Sequence, residues 1–243
     1  MTFHVITLFP EMFDSYLKES ILGRAIKDKK ILIKFYNPLD FCEPNKRVDS
    51  RPYGGGPGMV LRPELFLKAF TAAARNFSRV LGSPGLHTPA RPARKASGGL
   101  RNIKIINFSP SGKKFETNYA KSLVKKKYTD VVLISGRYEG IDARVQKILK
   151  AEEISIGDYV LTGGELPAMV LIDSISRQIP GVLGKYESLE EERVSSSEVY
   201  TRPEVLKYTP PGRGKKAKIY KVPKVLLSGN HKNIEDWKNK TKK

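Results

Sequence analysis

Short runs rich in β-branched and aromatic residues alternate with helix-forming stretches along most of the chain, and this alternation limits its fold more than any other feature. "FHVITL" reads as a strand, after which Phe13, Leu17 and Ile21 recur at helical spacing behind Pro10, and "ILIKFY" returns to strand character. A second helix opens at Pro63, with Leu65, Phe66, Ala69, Phe70, Ala73 and Phe77 on one face. Then follow the strand "IKIINFS", a helix through Leu123 that ends in Lys125, Lys126 and Lys127, the strand "DVVLIS", a short helix from Ile141 and the strand "EEISI". Strands separated by helices predict an α/β fold with a parallel sheet covered on both faces. Its 243 residues suffice for one large domain and a smaller one.

Parallel sheets bind ligands at the carboxyl ends of their strands, so the loops there carry the functional question. Three stand out: "RPYGGGPGM" (51–59), "SGRYEGIDAR" (135–144) and "SIGDYVLTGGELPAM" (155–169). The first is not a P-loop, because Gly58 is followed by Met59 and Val60 instead of Lys and Ser or Thr. Nor is it a dinucleotide fingerprint, since Gly54 and Gly56 would need a third glycine at position 59. The second gathers Arg137, Glu139, Asp142 and Arg144. The third places Gly157, Asp158, the Gly163–Gly164 pair and Glu165 ahead of a helix opened by Pro167. Glycines in such loops let the backbone approach a ligand closely.

Charge narrows the partner. The formal net charge is +19, and Lys207–Lys243 alone carries twelve Lys/Arg against two acids, or +10 of that total. A polyanion is implied, nucleic acid before an anionic membrane, because no segment approaches the roughly 18 apolar residues of a membrane span. "FHVITLF" is too short for a leader and is halted by Pro10, which predicts a soluble cytosolic protein. Residues 82–102 hold three prolines, four glycines, four Lys/Arg and no acid, the composition of a mobile basic loop. Cys42 is alone, which excludes an internal disulfide, and His4, His87 and His231 are too scattered for a local metal motif.

Six segments in order, "LFPEMF", "RPYGGGPGM", "SGRYEGIDAR", "SIGDYVLTGGELPAMVLIDSISRQIPGVLG", "YTRPEV" and "LLSGNH", resemble the bacterial tRNA (guanine-N1)-methyltransferases of the SPOUT superfamily. The resemblance implies a parallel-sheet SPOUT fold with a deep trefoil knot and a homodimer with active sites at the subunit interface. It also implies S-adenosylmethionine as methyl donor and transfer to N1 of the guanosine immediately 3′ of the anticodon, tRNA position 37. Carried over motif by motif, the donor pocket consists of Phe108, Ser109 and Pro110; Gly136, Tyr138, Glu139 and Gly140; and Ser155, Ile156, Gly157, Tyr159, Leu161, Gly163, Gly164 and Pro167. Arg51, Tyr53, Gly54, Gly55, Gly56, Pro57 and Gly58 become the wall for a flipped guanine.

Methylating guanine N1 displaces its proton, which calls for a general base near N1 and a positive group beside O6. Arg177, in "DSISRQIP", matches the family's arginine. The family places an aspartate as base in the linker that follows "GVLG", whereas this linker, "KYESLEEERVSSSEV", has none. Counting forward from Gly184 puts Glu192 there, with Glu190 and Glu191 as alternatives; a glutamate is ionised at neutral pH but one methylene longer. The implied organisation is a methyltransferase domain over 1–183, with the 82–102 insertion, then an acidic linker over 184–202. A basic tRNA-binding segment over 203–243 follows, shorter than relatives usually carry. The resemblance leaves assistance by Mg2+ open. It also leaves open a relative with a relaxed RNA target, separable by comparing full tRNA with an anticodon stem-loop, and a non-catalytic RNA binder, which would bind without turnover.

Overall fold

The computed structural model describes residues 1–77, 102–184, 198–212 and 216–241. The expected basic loop at 82–102 therefore lies outside the described residues except for Asn102, and Glu190, Glu191 and Glu192 lie outside them as well. The chain divides into two compact units, Met1–Gly184 and Lys185–Lys243.

In the first unit, β1 (Thr2–Ile6) leads through a 3₁₀ turn (Pro10–Phe13) into α1 (Asp14–Leu17) and α2 (Ser20–Lys27), then β2 (Leu32–Tyr36). Two-residue strands β3 (Asp49–Ser50) and β4 (Val60–Leu61) precede α3 (Pro63–Ala74). β5 (Ile103–Lys114), α4 (Thr117–Lys125), β6 (Asp130–Ile134), α5 (Ala143–Leu149), β7 (Glu152–Ser155) and α6 (Glu165–Arg177) complete the unit. Five strands form one sheet in the order β2-β1-β6-β5-β7, with every pairing parallel.

Both faces of this sheet are buried, as the near-continuous apolar runs require. Along β1, Phe3 and Val5 enter one core cluster while His4 and Ile6 face the other side; along β6, Val131 and Leu133 alternate in the same way with Val132 and Ile134. The first cluster is covered by α2, α4 and α6 through Leu22, Leu123, Leu171 and Ile172, the second by α3 and α5 through Phe66, Ala69 and Val145.

The helix expected behind Pro10 is broken. Ser20 has a φ of 53°, and Gly23 packs so tightly on the preceding segment that a Cβ there would stand 2.4 Å from the carbonyl oxygen of Lys18. The four-residue apolar spacing thus spans two short helices that turn against each other. α3, by contrast, begins at Pro63 as the sequence predicts, and Phe77 lies beyond its end, edge-on to the His4 ring.

The second unit holds an antiparallel hairpin of β8 (Val205–Tyr208) and β9 (Lys218–Lys221), then α7 (Lys224–Leu227) and α8 (His231–Lys240). α8 is N-capped by Asn230, whose side chain accepts from the Asn233 backbone N–H at 3.2 Å.

Candidate active site

β6 lies on one side of β5 and β7 on the other, so strand order reverses at β5, and the carboxyl ends of these strands open a crevice there. A cavity of about 390 Å³ occupies it, within the range of small-molecule sites, about 300–1,000 Å³. Three loops make its wall. In the first, the β5–β7 register jumps from Phe108 opposite Ile154 to Lys113 opposite Ile154, and the intervening Ser109–Gly112 are pushed out as a lip. Gly112 makes this possible: a Cβ would lie 2.6 Å from the backbone nitrogen of Ile154.

The second loop follows β6. Ser135 is anchored by its N–H to the carbonyl of Ile6 (2.9 Å) and by its hydroxyl to that of Gly164 (3.1 Å). Tyr138 and Gly140 then take positive φ values of 58° and 102°, which turn the chain back on itself. The third loop, 156–164, returns from β7 to meet the second. Gly164 N–H donates to Gly136 O at 2.9 Å, and a Cβ on Gly164 would stand 2.7 Å from Ser135 Cα. Only glycine fits that contact, because both neighbours are backbone. All the residues assigned above to the methyl donor, from Phe108 to Pro167, line this one cavity.

A polar cluster fastens the second and third loops. Glu165 is 1% exposed; its Oε1 accepts from the hydroxyl of Thr7 at 2.9 Å, and its Oε2 lies 3.0 Å from Arg137 Nε. That second contact is an ion pair without hydrogen-bond alignment, so both atoms are buried with no hydrogen bond among the described residues. The Arg137 guanidinium also donates to Thr162 O at 3.4 Å, meets Met12 Sδ, and sits 4.7 Å above the centre of the Phe9 ring. The side chain lines the cavity.

The glycine-rich loop is the connection between β3 and β4, closed by Asp49 opposite Leu61 and Ser50 opposite Val60. Gly54, Gly55, Gly56 and Gly58 all have positive φ, and Tyr53 is fully exposed. The loop is tied to the cavity's second wall: Glu139 N–H donates to Met59 O (3.1 Å), Leu61 N–H to Gly140 O (3.0 Å) and Asp142 N–H to Leu61 O (3.1 Å). Asp142 also caps α5, accepting from Arg144 N–H at 2.9 Å, and the Arg144 side chain holds its carboxyl below the usual carboxylate range.

The tRNA (Guanine-1)-methyltransferase TrmD family model matches residues 1–243. The chain belongs to that family. It is 41% identical over 239 residues to the tRNA (guanine-N(1)-)-methyltransferase of Clostridioides difficile (strain 630), covering 98% of this chain and 90% of that one. It is likewise 41% identical to the proteins of the same name from Marinomonas sp. (strain MWYL1), over 100% of this chain and 84% of that one, and Coxiella burnetii (strain Dugway 5J108-111), over 97% and 83%.

Of the residues assigned from the TrmD family, the structure brings the donor set together but leaves Arg177 apart. Arg177 ends α6, twelve residues beyond Glu165, or roughly 18 Å at the helical rise of about 1.5 Å per residue. It is half-buried, outside the cavity lining, and has no ion-pair partner among the described residues. Arg137, Asn107, Glu153 and Thr162 line the cavity without having been assigned to it. Arg137 and Glu165 do stand inside the quoted motifs, but their pairing across 28 positions, and Thr7's contact from the other end of the chain, leave no local signal. Among the described residues no group of His, Cys, Asp and Glu could hold a metal ion, and no helix is long and apolar enough to cross a membrane.

Proposed function

We propose that this protein methylates N1 of the guanosine immediately 3′ of the anticodon, tRNA position 37, with S-adenosylmethionine as donor. The observation that carries the reading is the single cavity in which all the donor residues of the family motif converge. Its chemistry fits that molecule: Phe108, Tyr138, Ile156, Tyr159 and Leu161 offer apolar surface to an adenine and its sugar, glycine backbones allow close approach, and the carboxylates of Glu139 and Glu153 suit a cationic tail. The donor supplies an electrophilic methyl group. The rest falls to the chain: a linker glutamate, Glu192 with Glu190 and Glu191 as alternatives, takes the N1 proton, and Arg177 stabilises the negative charge that gathers on O6. The glycine-rich loop, Arg51–Gly58, is the wall against which the flipped guanine rests.

Arg177 can reach a donor cavity only from another subunit, since the length of α6 separates it from its own. We therefore place the active site between two copies of the chain. The outward stripe of α6 supports this: Leu166 and Val170 are exposed on a helix whose other apolar residues are buried, in line with Asp173 and Arg177. Tyr16 donates to Asp173, which sets the exposed Phe9, Met12 and Tyr16 beside that stripe. This surface fits a homodimer seam. The return of 156–164 across the strand ends toward Gly136 suits the trefoil knot of the family. We also assign 184–202 as linker and 203–243 as basic tRNA-binding segment and place the enzyme in the cytoplasm, where its substrate is.

The test is methylation of an unmodified tRNA transcript with guanosine 3′ of the anticodon, using labelled donor, for wild type and for Arg177→Ala, Glu190→Ala, Glu191→Ala and Glu192→Ala. N1-methylguanosine formed by wild type but lost in Arg177→Ala and in one glutamate variant supports the reading and names the base. Complementation between Arg177→Ala and a cavity variant such as Gly164→Ala in mixed dimers tests the shared site. No methylation by wild type sinks it. Activity unaffected by EDTA would show that Mg2+ plays no part.

A further inference from the structure

The β8–β9 hairpin is exposed along its whole length on both faces, an expensive arrangement for a two-stranded ribbon with five large apolar residues in it. The register pairs Val205 with Lys221, Leu206 with Tyr220, Lys207 with Ile219 and Tyr208 with Lys218. Because opposed residues share a face and neighbours alternate, one face presents Leu206, Tyr208, Lys218 and Tyr220 together. Tyr208 and Tyr220 are each about half exposed and stand diagonally across the ribbon, about 7–8 Å apart by strand geometry. No acid occurs between Glu204 and Glu235, while Lys207, Lys216, Lys218, Lys221 and Lys224 surround the ribbon.

We infer that this face is a stacking platform for unpaired loop nucleotides of the substrate tRNA, with Tyr208 and Tyr220 under two bases and Lys218 against the intervening phosphate. The inference rests on tRNA being the substrate. The pattern of two rings and a cation on one flat strand surface suits single-stranded RNA, whose splayed bases stack on aromatic side chains; a duplex would hide them. The charge excludes an acid-poor or basic partner and complements a phosphate backbone. A protein docking there would be expected to bury the apolar side chains behind a polar rim, whereas here lysines stand among them.

The experiment uses the full chain and a fluorescently labelled tRNA transcript. Binding is read by anisotropy without donor, and kcat, KM for tRNA and KM for donor are measured separately. In Tyr208→Ala/Tyr220→Ala, Kd and KM for tRNA are expected to rise on the order of ten- to a hundredfold, with kcat at saturating tRNA and KM for donor unchanged. Tyr208→Phe/Tyr220→Phe, which keeps both rings, should bind as wild type does. Lys218→Gln should lower the slope of log Kd against log salt by about one. An alanine variant with wild-type tRNA affinity and an unchanged melting curve overturns the proposal, as does one that alters only the oligomeric state. Should the alanine variant fail to fold, Lys218→Gln decides: an unaltered salt slope overturns the platform. If wild type binds tRNA through these tyrosines but transfers no methyl group, the platform stands and the enzymatic reading fails.

Discussion

Among the described residues of the first unit, two polar pairs with a buried carboxylate, one in the body of the sheet and one at its carboxyl edge, are built differently. His4 and Asp130, both fully buried, close on themselves: His4 Nε2 meets Asp130 Oδ1 at 2.9 Å, His4 Nδ1 meets the Tyr36 hydroxyl at 3.0 Å, and Thr129 donates to Asp130 Oδ2 at 2.7 Å. Arg137 and Glu165 do not. Their facing atoms are 3.0 Å apart without alignment, and part of the guanidinium meets only a thioether and an aromatic face beside the cavity. The first pair satisfies its buried polar atoms with hydrogen bonds, whereas the second leaves Arg137 Nε and Glu165 Oε2 buried and opposed without one. The difference separates a closed network inside the sheet from an incompletely bonded one that borders the cavity.

The largest effect expected from this contrast is at Glu165. Glu165→Ala leaves Arg137 without its counter-charge and frees both loops of the cavity wall, so stability should fall by on the order of 3 kcal/mol and, on the proposed function, affinity for the methyl donor by tenfold or more. Calorimetric unfolding and titration with S-adenosylmethionine would measure the two together. Stability lost with donor affinity intact would make this pair no different in kind from His4–Asp130.

Next comes Gly164→Ala. Its new methyl group meets backbone at 2.7 Å, which neither loop can relieve by rotating a side chain, and overpacking of this kind costs about 1–3 kcal/mol. Donor binding should weaken with little change in tRNA affinity, read by titrating each ligand separately.

The His4 pair should report through pH and leave the site untouched. Burial pushes the His4 ring below its ordinary value, and the bond to Asp130 only partly offsets this. The unfolded chain therefore takes up the proton first as pH drops, so the contribution is complete above about pH 6.5 and is lost progressively below it, at up to about 1.4 kcal/mol per pH unit. Melting temperature followed from pH 7.5 to 5.5 should fall more steeply for wild type than for His4→Gln, with donor affinity alike in both. Equal slopes would remove His4 from the account.

The smallest effect belongs to Tyr16→Phe. The hydrogen bond to Asp173 pushes the Tyr16 hydroxyl up to about 12, yet the pair is partly open to water, and its loss should change stability by no more than about 0.5 kcal/mol. Sedimentation of the variant is the sharper measurement, because Tyr16 borders the proposed dimer seam; a shift toward monomer larger than that of a Val170→Ala control would give the hydroxyl a role in assembly.

What the sequence determined by itself is what local chemistry can carry. Strand and helix periods set the alternation and the buried faces, Pro63 marks a helix start, and the glycines of "GRYEG" and "TGGELP" announce backbone that must turn sharply or approach another chain segment closely. Those residues lie in loops next to strand ends, and so the residues that line the cavity were legible as a set, whereas the ligand it takes is a matter for the proposed function. The continuous helix behind Pro10 was misread because apolar spacing does not record the break at Ser20. Only the tertiary structure decided that β5 lies between β6 and β7, that Glu165 meets Arg137 and Thr7, and that Arg177 stands a helix length from its own cavity. The physical reason is that backbone propensity and side-chain period act over a few residues. Which distant segments meet depends on how whole faces bury one another, and no short stretch of the chain contains that information.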